Sequence, residues 1–336
     1  MGRKVLVTGG TGFVGGHLLD RLLSEGYQAR ALVRRTSDVT YLKKLSVELV
    51  EGDITDSVSV DKAMADCEMV FHCAAYVADW GPREVFIRTD VEGTRNICRS
   101  GLAHGIKRLI HISSVDVMDP YKPHSQSDET APYPARFRDP YTEGKVRSEK
   151  LVLQFAAENG LPAVIIRPAW IWGPRDRATL PRQIDALRSS TFAWPNGGNN
   201  VLGLIHVADV VEALLRAARI PKAKGQVYNI SDGTKTTSRQ YLTRLAEELG
   251  MAVPKISIPF SAAYGLAAVM ETWAGLTRSV KPPDLTRYGL TYFIHHDWNI
   301  EKAGRELGFI PKVKIEAGMA EMIDWYKNEF KKKGNG

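Results

Sequence analysis

The chain is poor in cysteine: its 336 residues include only Cys67, Cys73 and Cys98, which follow no regular spacing. So few cysteines exclude a disulfide framework, and their scatter excludes a cysteine-based zinc site. Internal repeats and low-complexity segments are also absent. Charged Arg3 and Lys4 lead directly into an apolar stretch, so we expect no signal peptide. Together these features predict a protein of the reducing cytoplasm.

Long blocks of like charge are missing too, although the formal net charge is +7 and the sequence pI is about 9.2. Basic residues are spread along the chain, apart from a short run at Lys331–Lys333. A nucleic-acid-binding face requires clustered Lys and Arg side chains. We therefore expect an ordinary solvated surface and no nucleic-acid partner.

What the first half does contain is a regular alternation of strand-like and helix-like segments. Such repeated βα units form a parallel sheet that is covered on both faces. After residue 173 the sequence becomes mainly helical. We predict an α/β fold with a doubly wound parallel sheet in residues 1–172, to which 203–230 returns, and a smaller, mainly helical C-terminal substrate lobe in 173–336. The predicted strands are Lys4–Thr8, Gln28–Arg34, Val47–Glu51, Met69–His72, Arg108–Ile112, Ala163–Arg167 and Gln226–Ile230, and the predicted helices are Phe13–Ser24, Ser57–Ala65, Val85–His104, Tyr141–Glu158 and Val207–Ala218.

The segment Val5–Gly15 is an apolar strand followed by a glycine-rich turn. Side chains at Gly9 and Gly12 would block the approach of a pyrophosphate, and one at Gly15 would separate the helix from the strand. The N–H groups of a helix beginning near Phe13 would then face the phosphates. A tight turn without a ligand is the alternative, but the strand directly before it favours a dinucleotide site of the Rossmann type.

A second candidate site combines Tyr141, Lys145 and Ser114. On a helix, residues four apart share a face, so the phenol and the ammonium would point the same way. A nearby cation favours the phenolate, which would suit Tyr141 to proton transfer. Ser114 follows the fifth predicted strand, at the sheet edge where ligands bind in such folds. Taken singly, Ser114 could simply end its strand and Tyr141 could be a core residue with Lys145 on the surface.

With these motifs, the chain resembles the extended short-chain dehydrogenase/reductase family over nearly its whole length. Within the family it is similar to the branch of 3β-hydroxysteroid dehydrogenases, sterol-4-carboxylate 3-dehydrogenases, 2-alkyl-3-oxoalkanoate reductases and dihydroflavonol reductases. The matching segments are Thr8–Gly15, Gly52–Asp53, His72–Ala75, Val91–Thr94, Ile112–Ser114, Tyr141–Lys145, Arg167–Pro168, Trp172–Pro174, Ile205–Asp209, Gly225–Asp232 and Lys302–Phe309 with Pro311.

The resemblance implies a role for each matching residue. Tyr141 would be the general acid or base, Lys145 would hold the nicotinamide ribose, and Ser114 would bind the substrate oxygen. A homodimer through helices of the first lobe is also implied. The implied coenzyme-binding residues are Gly9, Thr11, Gly12, Phe13, Val14, Gly15, Arg34, Arg35, Asp53, Ile54, Ala74, Ala75, Tyr141, Lys145, Pro168, Ala169 and Ile171, and the implied substrate-binding residues are Val77, Trp80, Ser114, Tyr141 and Trp170. One departure is Asp90, where the family often has asparagine.

The end of the second predicted strand bears on the choice of coenzyme. An acidic residue there binds the ribose hydroxyls of NAD, whereas arginine accommodates the 2′-phosphate of NADP. Here Val33 occupies that place and is followed by Arg34 and Arg35. The sequence therefore predicts NADP(H) in preference to NAD(H). A pair of solvated arginines is the alternative.

Three functions compete: a reductase or dehydrogenase for a bulky apolar ketone or alcohol, a sugar-nucleotide epimerase or dehydratase with tightly bound NAD, and a non-catalytic protein. The intact Ser114, Tyr141 and Lys145 disfavour the last. Sugar-nucleotide enzymes of the family usually have asparagine where this chain has Trp170, and Arg-Asp where it has Leu202 and Gly203. The negative charge of a diphosphate buried without such contacts would have no positive partner. The sequence therefore favours the reductase.

Other aromatic residues are expected to be structural. We expect His72, His111 and His206 to be packing residues with no metal bound, because they lack ligand spacing. Trp172, Trp194 and Trp273 are assigned to the core, unlike Trp80 and Trp170.

The weakly charged segment Ile258–Leu276 is predicted to form a helix capped by Ser261 and too weakly apolar to span a membrane. It is either a buried helix or, with Arg278 and Lys281, a mouth that touches a membrane surface.

Overall fold

The computed structural model describes residues 3–189, 192–279 and 281–331. Lys332 and Lys333 of the basic run at 331–333 therefore lie outside the described residues. The strands are β1 Lys4–Thr8, β2 Gln28–Val33, β3 Glu48–Glu51, β4 Met69–His72, β5 Arg108–Ile112, β6 His124–Ser127, β7 Ala163–Pro168, β8 Trp170–Trp172, β9 Trp194–Pro195, β10 Leu204–His206, β11 Val227–Ile230, β12 Ser257–Ile258 and β13 His296–Trp298. The α-helices are α1 Phe13–Ser24, α2 Ser57–Met64, α3 Arg83–Phe86, α4 Gly93–Ala103, α5 Pro140–Asn159, α6 Thr179–Arg188, α7 Val207–Arg219, α8 Ser238–Glu248, α9 Phe260–Leu276, α10 Glu301–Leu307 and α11 Ile315–Lys331.

The main sheet has seven strands in the order β11-β7-β5-β4-β1-β2-β3, and every neighbouring pair is parallel. Strand order reverses between β1 and β4, so the chain leaves the middle of the sheet in both directions. The carboxyl ends of β1, β4 and β5 consequently lie side by side. The predicted Rossmann-type α/β fold is confirmed, and this switch point is where such sheets bind ligands.

Two apolar cores cover the faces of the sheet. On one face, α1 and α7 pack against β1, β5 and β7 through residues such as Leu18, Leu22 and Leu214. On the other, α2, α4 and α5 pack through residues such as Val60, Ile97 and Val152. Burial on both faces explains why these strands are apolar runs rather than alternating sequences.

A third core lies among α6, α8 and α11 and includes Trp172, Trp194 and Tyr241. Among the described residues, three short two-stranded sheets, β10-β8, β12-β9 and β13-β6, lie outside the main sheet. Trp172 and Trp194 are fully buried, as the sequence predicts.

Two sequence-based expectations are wrong in detail. The helix expected over Val85–His104 is divided into α3, a π-helical segment at Ile87–Glu92, and α4. Ser261 does not cap α9, because the cap position is Pro259 and Ser261 already lies within the helix.

Helix α9 is also not a buried helix. Of its residues only the small Ala263, Ala267 and Ala274 are buried, and they contact the rest of the protein. Trp273, which we expected in the core, is 69% exposed. The physical reason is that alanines on one side permit close packing, while the larger apolar side chains occupy the opposite side.

Candidate active site

The glycine turn after β1 has the shape that close approach of a ligand requires. Gly9 adopts φ +70°, and a Cβ there would lie 2.8 Å from the backbone nitrogen of Ala74, in the loop after β4. A Cβ at Gly15 would overlap the Gly9 carbonyl group. Only glycine fits both positions, because one brings the two loops together and the other seats α1 against the turn.

The amino end of α1 is open to an anion. Its cap residue, Gly12, provides no side-chain hydrogen bond, and the first turn has no acidic residue. Thr11 and Gly12 are exposed, and Phe13 and Val14 are half-buried. Free N–H groups and a positive helix end of this kind favour phosphate. The turn therefore fits the pyrophosphate of a dinucleotide.

His72 links the end of β1 to helix α4. Its Nδ1 lies 2.7 Å from the Thr8 hydroxyl and its Nε2 lies 2.9 Å from the Thr94 hydroxyl. Burial lowers the pKa of His72 to about 3, so the imidazole is neutral. Within the described part of the chain, no group of three metal-ligating side chains comes together.

The two serines after β5 face different surroundings. The Ser113 hydroxyl donates to the fully buried Glu149 carboxylate, behind the site. The Ser114 hydroxyl instead accepts a hydrogen bond of 3.1 Å from the Asp116 N–H and begins the short 3₁₀ helix Val115–Met118. Ser114 is therefore the serine that lies on the ligand side.

Helix α5 brings Tyr141 and Lys145 to the same edge. Asp139 caps the helix by accepting a 2.7 Å hydrogen bond from the Thr142 N–H, and Pro140 occupies the first turn. Lys145 Nζ donates to the Ile112 carbonyl over 3.1 Å and lies 6.0 Å from the centroid of the Tyr141 ring. Both side chains are buried. Because Tyr141 also shares a hydrogen bond with Ser114, the structure brings Ser114, Tyr141 and Lys145 together.

The electrostatic balance at Tyr141 differs from the expectation that Lys145 dominates it. Burial raises the pKa of Tyr141 well above its ordinary value, the charge of Asp116 raises it further, and a hydrogen bond with Ser114 lowers it. Burial also lowers the pKa of Lys145, while the charge of Asp90 opposes that effect. Tyr141 thus holds its proton at neutral pH in this arrangement.

Asp90 lies in the π-helical segment Ile87–Glu92 and is buried. Its Oδ1 accepts a 2.7 Å hydrogen bond from the Tyr76 N–H, and its Oδ2 has no hydrogen-bond partner. A Cβ at position 144 would lie 2.7 Å from that oxygen, which accounts for Gly144 between Tyr141 and Lys145. Burial raises the pKa of Asp90, and the nearby Lys145 lowers it.

Asp116 and Tyr288 are site residues that sequence reasoning missed. The Tyr288 hydroxyl donates to Asp116 Oδ2 over 2.8 Å, and the Tyr288 ring meets the Tyr141 ring edge-on with centroids 5.4 Å apart. Asp116 could have been noticed, since it is acidic and follows the end of β5. Tyr288 lies 172 residues further along the chain, and no local pattern marks it.

Aromatic residues around Trp170 form a wall, and one of them, Tyr292, is close enough to Tyr141 to affect its pKa. Trp170 packs against Tyr241 and Tyr292, with ring centroids 5.2 and 4.9 Å away. The Trp80 indole donates to the Ser279 carbonyl over 3.1 Å, just beyond α9. Leu202 is buried, and a Cβ at Gly203 would overlap the Trp298 indole, so neither position has room for a phosphate-binding side chain.

Arg182 on α6 is a basic side chain close to Tyr292 of this wall. It forms a two-pronged ion pair with Asp79 at 2.7 and 3.0 Å, and Thr286 also donates to Asp79. A carboxylate and a guanidinium paired in this way neutralise each other. The Arg182 guanidinium is therefore already paired with a carboxylate of the protein.

The remaining predicted coenzyme residues lie around the same edge. Asp53 forms a local turn, accepting from the N–H and hydroxyl of Thr55 at 2.8 Å. Arg34 and Arg35 follow β2 and are exposed, and neither is ion-paired with another described residue. Ile54, Pro168 and Ala169 are buried, and Ala74, Ala75 and Ile171 are half-buried. Val77, which is predicted to bind substrate, is 72% exposed.

Comparison with known proteins agrees with this geometry. The family model described as the NAD dependent epimerase/dehydratase family matches residues 5–231. The chain belongs to this family. It is one of the extended short-chain dehydrogenases/reductases, as the sequence motifs predict, and it is an NAD(P)-dependent oxidoreductase enzyme.

Individual members of the family are similar to this chain over most of its length. The chain is 34% identical to a 4-hydroxy-2-methyl-3-oxo-4-farnesyl-3,4-dihydroquinoline-1-oxide ketoreductase of Stigmatella aurantiaca, over 94% of both chains. It is 30% identical to a 3-beta-hydroxysteroid dehydrogenase of Mycolicibacterium neoaurum, over 97% of this chain and 92% of the relative. A UDP-glucose 4-epimerase structure from Thermotoga maritima has a TM-score of 0.79 at 23% identity, covers 97% of this chain and 99% of its own, and establishes only the shared fold.

Proposed function

We propose that this protein is an NADP(H)-dependent oxidoreductase that interconverts a ketone and a secondary alcohol on a bulky, largely apolar substrate. The observation that carries the proposal is the meeting of Ser114, Tyr141 and Lys145 near an aromatic wall that includes Trp170 and Tyr292. That wall presents Trp170 where a sugar-nucleotide enzyme needs a diphosphate ligand. Burying a diphosphate against Trp170 and Leu202 would leave its charge unpaired.

When bound, the nicotinamide coenzyme supplies or accepts the hydride. The open end of α1 would bind its pyrophosphate, together with Gly9, Thr11, Gly12, Phe13, Val14 and Gly15. Asp53 and Ile54 would face the adenine, and Lys145 would bind the nicotinamide ribose. Ala74, Ala75, Pro168, Ala169 and Ile171 would line the remainder of this site.

The protein's own groups perform the proton chemistry. In reduction, the Tyr141 hydroxyl donates its proton to the carbonyl oxygen while the Ser114 hydroxyl donates a hydrogen bond to the same oxygen. In oxidation, Tyr141 as phenolate takes the alcohol proton. The buried position of Tyr141 excludes bulk water, which strengthens both interactions.

Preference for NADP(H) follows from the end of β2. Val33 is buried and contributes no carboxylate that could bind ribose hydroxyls, whereas Arg34 and Arg35 are exposed and free of ion pairs among the described residues. A guanidinium binds a phosphate through paired, charge-assisted hydrogen bonds. Both arginines would therefore donate hydrogen bonds to a 2′-phosphate.

The substrate class follows from the wall residues and from the relatives. Trp80, Trp170 and Val77 offer apolar contact, and the named substrates of the two relatives are a farnesyl dihydroquinoline ketone and a 3β-hydroxysteroid. We infer a ring-containing, lipid-like ketone or alcohol for this protein. Residues 173–336 supply most of its binding lobe, and residues 1–172 with 203–230 supply the coenzyme lobe.

A membrane surface is the proposed place of substrate entry. Leu266, Val269, Trp273 and Leu276 form one exposed face of α9, with Trp273 at 69% and Leu276 at 76% exposure. Arg278 and Lys281 follow and have no ion pair among the described residues, so anionic lipid complements them. Trp80 joins this end of α9 to the active site. Within the described residues, no helix is long and apolar enough to cross a membrane.

A homodimer is a separate proposal. Helices α4 and α5 of the coenzyme lobe expose no large apolar side chain among their described residues. An interface built there would therefore be polar or would use small residues such as Ala103 and Ala157. Light scattering on the purified protein distinguishes a dimer from a monomer.

The function is tested by following NADPH oxidation with steroid ketones, 2-alkyl-3-oxo acids, flavonoid ketones and simple aldehydes. We expect turnover of at least one bulky ketone and little turnover of small aldehydes. Calorimetry with UDP- and dTDP-sugars is the companion measurement, and we expect weak or absent binding. Tight binding of a UDP-sugar would overturn the proposal in favour of the epimerase alternative.

A further inference from the structure

We propose that Asp116 is a positioning residue for the reaction: its carboxylate, fixed by Tyr288 beside Ser114, keeps the proton on Tyr141 and so fits the site to ketone reduction. The inference rests on the proposed function, since it assigns Tyr141 the part of proton donor. It adds Asp116 to the residues Ser114, Tyr141 and Lys145. It also predicts that the site favours ketone reduction over alcohol oxidation.

Geometry fixes the Asp116 carboxylate at the reacting groups. Its Oδ2 accepts from the Tyr288 hydroxyl at 2.8 Å, and its own N–H donates to Ser114 Oγ at 3.1 Å. The Tyr288 ring, held by this hydrogen bond, meets the ring of Tyr141 edge-on. The Asp116 carboxyl group is thereby held next to Ser114 and, through Tyr288, near the ring of Tyr141. Burial raises the pKa of Asp116, whereas hydrogen bonds with Tyr288 and Ser114 and the charge of Lys145 lower it and so favour the carboxylate.

Three segments contribute charged side chains near Tyr141. Asp116 follows β5, Asp90 lies in the segment Ile87–Glu92, and Lys145 lies on the same helix as Tyr141. The phenols of Tyr288 and Tyr292 complete the set and are neutral, because burial raises their pKa values above the ordinary one.

Among these groups Asp116 has the largest electrostatic influence. After burial, its charge is the main cause that raises the pKa of Tyr141, and the same charge is the second cause at Tyr288 and Tyr292. Asp90 acts on Tyr141 more weakly than Asp116 does. A carboxylate near a phenol disfavours the phenolate, which would repel it.

The consequence concerns the two directions of the reaction. Reduction requires Tyr141 to hold a proton that it can donate, whereas oxidation requires the phenolate. By disfavouring the phenolate, Asp116 extends the pH range of the proton donor and confines oxidation to alkaline solution. The equilibrium constant of the overall reaction is untouched, because a protein residue changes only the rates.

The test is a titration of Tyr141 in the full-length protein labelled with ¹³C at tyrosine Cζ, whose chemical shift distinguishes phenol from phenolate. Tyr141→Phe identifies the resonance. Asp116→Asn keeps the size of the side chain and an acceptor for Tyr288 but removes the charge. We expect the ionisation constant of Tyr141 to rise at least tenfold, a downward displacement of its titration by at least one pH unit.

Asp119→Asn is the matched control, since Asp119 ends the same 3₁₀ helix and pairs with Lys122 at 3.2 Å. It should leave the titration of Tyr141 unchanged. If Asp116→Asn fails to fold, the smaller neutral Asp116→Ser should displace the titration in the same direction. The inference is overturned if Tyr141 stays protonated to the same pH with and without the Asp116 charge.

Activity provides the second readout. In Asp116→Asn, the alkaline limit of ketone reduction and the acidic limit of alcohol oxidation should both move down by at least one pH unit. The titration needs no substrate, so it decides the inference even when no ketone is turned over. Absence of turnover with a displaced titration would count against the proposed function alone.

Discussion

Asp90 accepts a hydrogen bond of 2.7 Å from the backbone N–H of Tyr76 and thereby ties the π-helical segment to the loop after β4. Its second oxygen is buried without a hydrogen-bond partner. Burial is the main cause that raises the pKa of Asp90 above its ordinary value. The folded protein therefore holds this proton more strongly than the unfolded chain does, and stability is lost as the pH rises through the pKa of folded Asp90.

Asp90→Asn should accordingly stabilise the protein at pH 8, because the neutral amide still accepts from Tyr76 and removes an unpaired buried charge. We expect a gain of about 1 kcal/mol in the free energy of unfolding. The gain should disappear below about pH 4, where the carboxyl is protonated in both states. Urea unfolding at several pH values measures it, with exposed Asp61→Asn as control. Lower stability of Asp90→Asn at pH 8 would mean that Lys145 fully compensates the charge.

Tyr141→Phe should preserve the ring contact with Tyr288 but remove the proton donor. Turnover should fall by about two orders of magnitude or more, while binding of NADPH survives. Stopped-flow turnover and fluorescence titration of the coenzyme measure the two effects. Tyr27→Phe, far from the site, is the control. Near-normal turnover in Tyr141→Phe would mean that another residue is the acid. The variant Lys145→Met should weaken both coenzyme binding and the rate.

The parts of this site that the sequence predicted are those with short-range signals. Strands β1, β4 and β5 and helix α1 have the predicted bounds, because apolar runs and helical periodicity are local properties. The glycine turn was found for the same reason, since its φ angle and close contacts leave a trace in the spacing of Gly9 and Gly15. The family prediction was confirmed through such segments.

Long-range contacts left no comparable trace. The hydrogen bond from Tyr288 to Asp116 joins residues that packing alone brings together, and hydrophobic patterns do not encode the partner of a polar side chain. The prediction that helix α9 is buried was wrong for a related reason. Its apolar residues nearly encircle the helix, which predicts burial on all sides. Only the small Ala263, Ala267 and Ala274 are buried, however, and Trp273 is exposed.

Coenzyme preference depends on Arg34. NADPH should be bound more tightly than NADH, and Arg34→Ala should reduce the affinity for NADPH by about tenfold or more while leaving NADH binding nearly unchanged. Fluorescence titration with both coenzymes measures this. Arg188→Ala, an exposed arginine at the end of α6, is the control for a general loss of positive charge. A clear preference of the parent protein for NADH would contradict the prediction.

The buried ion pair between Arg167 and Glu149 holds α5 against β7. Arg167 Nη2 lies 2.5 Å from Glu149 Oε1, and the Tyr133 hydroxyl donates to the same carboxylate at 2.8 Å. Arg167→Met would leave a fully buried carboxylate without its cation. We expect a loss of about 3 kcal/mol or more in the free energy of unfolding.

Two variants make this measurement specific. Arg147→Met breaks the half-exposed pair with Glu143 on the same helix and should change stability by less than about 1 kcal/mol. The double variant Arg167→Met, Glu149→Leu should be more stable than Arg167→Met alone, because it removes the isolated charge. A double variant no more stable than the single one would show that packing of the arginine, rather than its charge, matters.

The exposed face of α9 should attach the protein to anionic membranes. We expect flotation with phosphatidylcholine–phosphatidylglycerol vesicles at physiological salt and little flotation with phosphatidylcholine alone. Trp273→Ala should reduce the bound fraction by about tenfold, because it removes the largest exposed apolar side chain of this face. Ile310→Ala, at a site that is 68% exposed elsewhere on the surface, should float like the parent protein.

Two results would contradict this prediction in different ways. If the parent protein remains wholly in the soluble fraction and Trp273→Ala leaves KM for a hydrophobic ketone unchanged, the face contributes neither membrane binding nor substrate entry. If light scattering instead finds a dimer that Trp273→Ala dissociates, a second copy of the chain covers the face. The lipid interpretation requires the vesicle effect and the KM effect together, since Trp80, a proposed substrate-binding residue, donates to the Ser279 carbonyl just beyond α9.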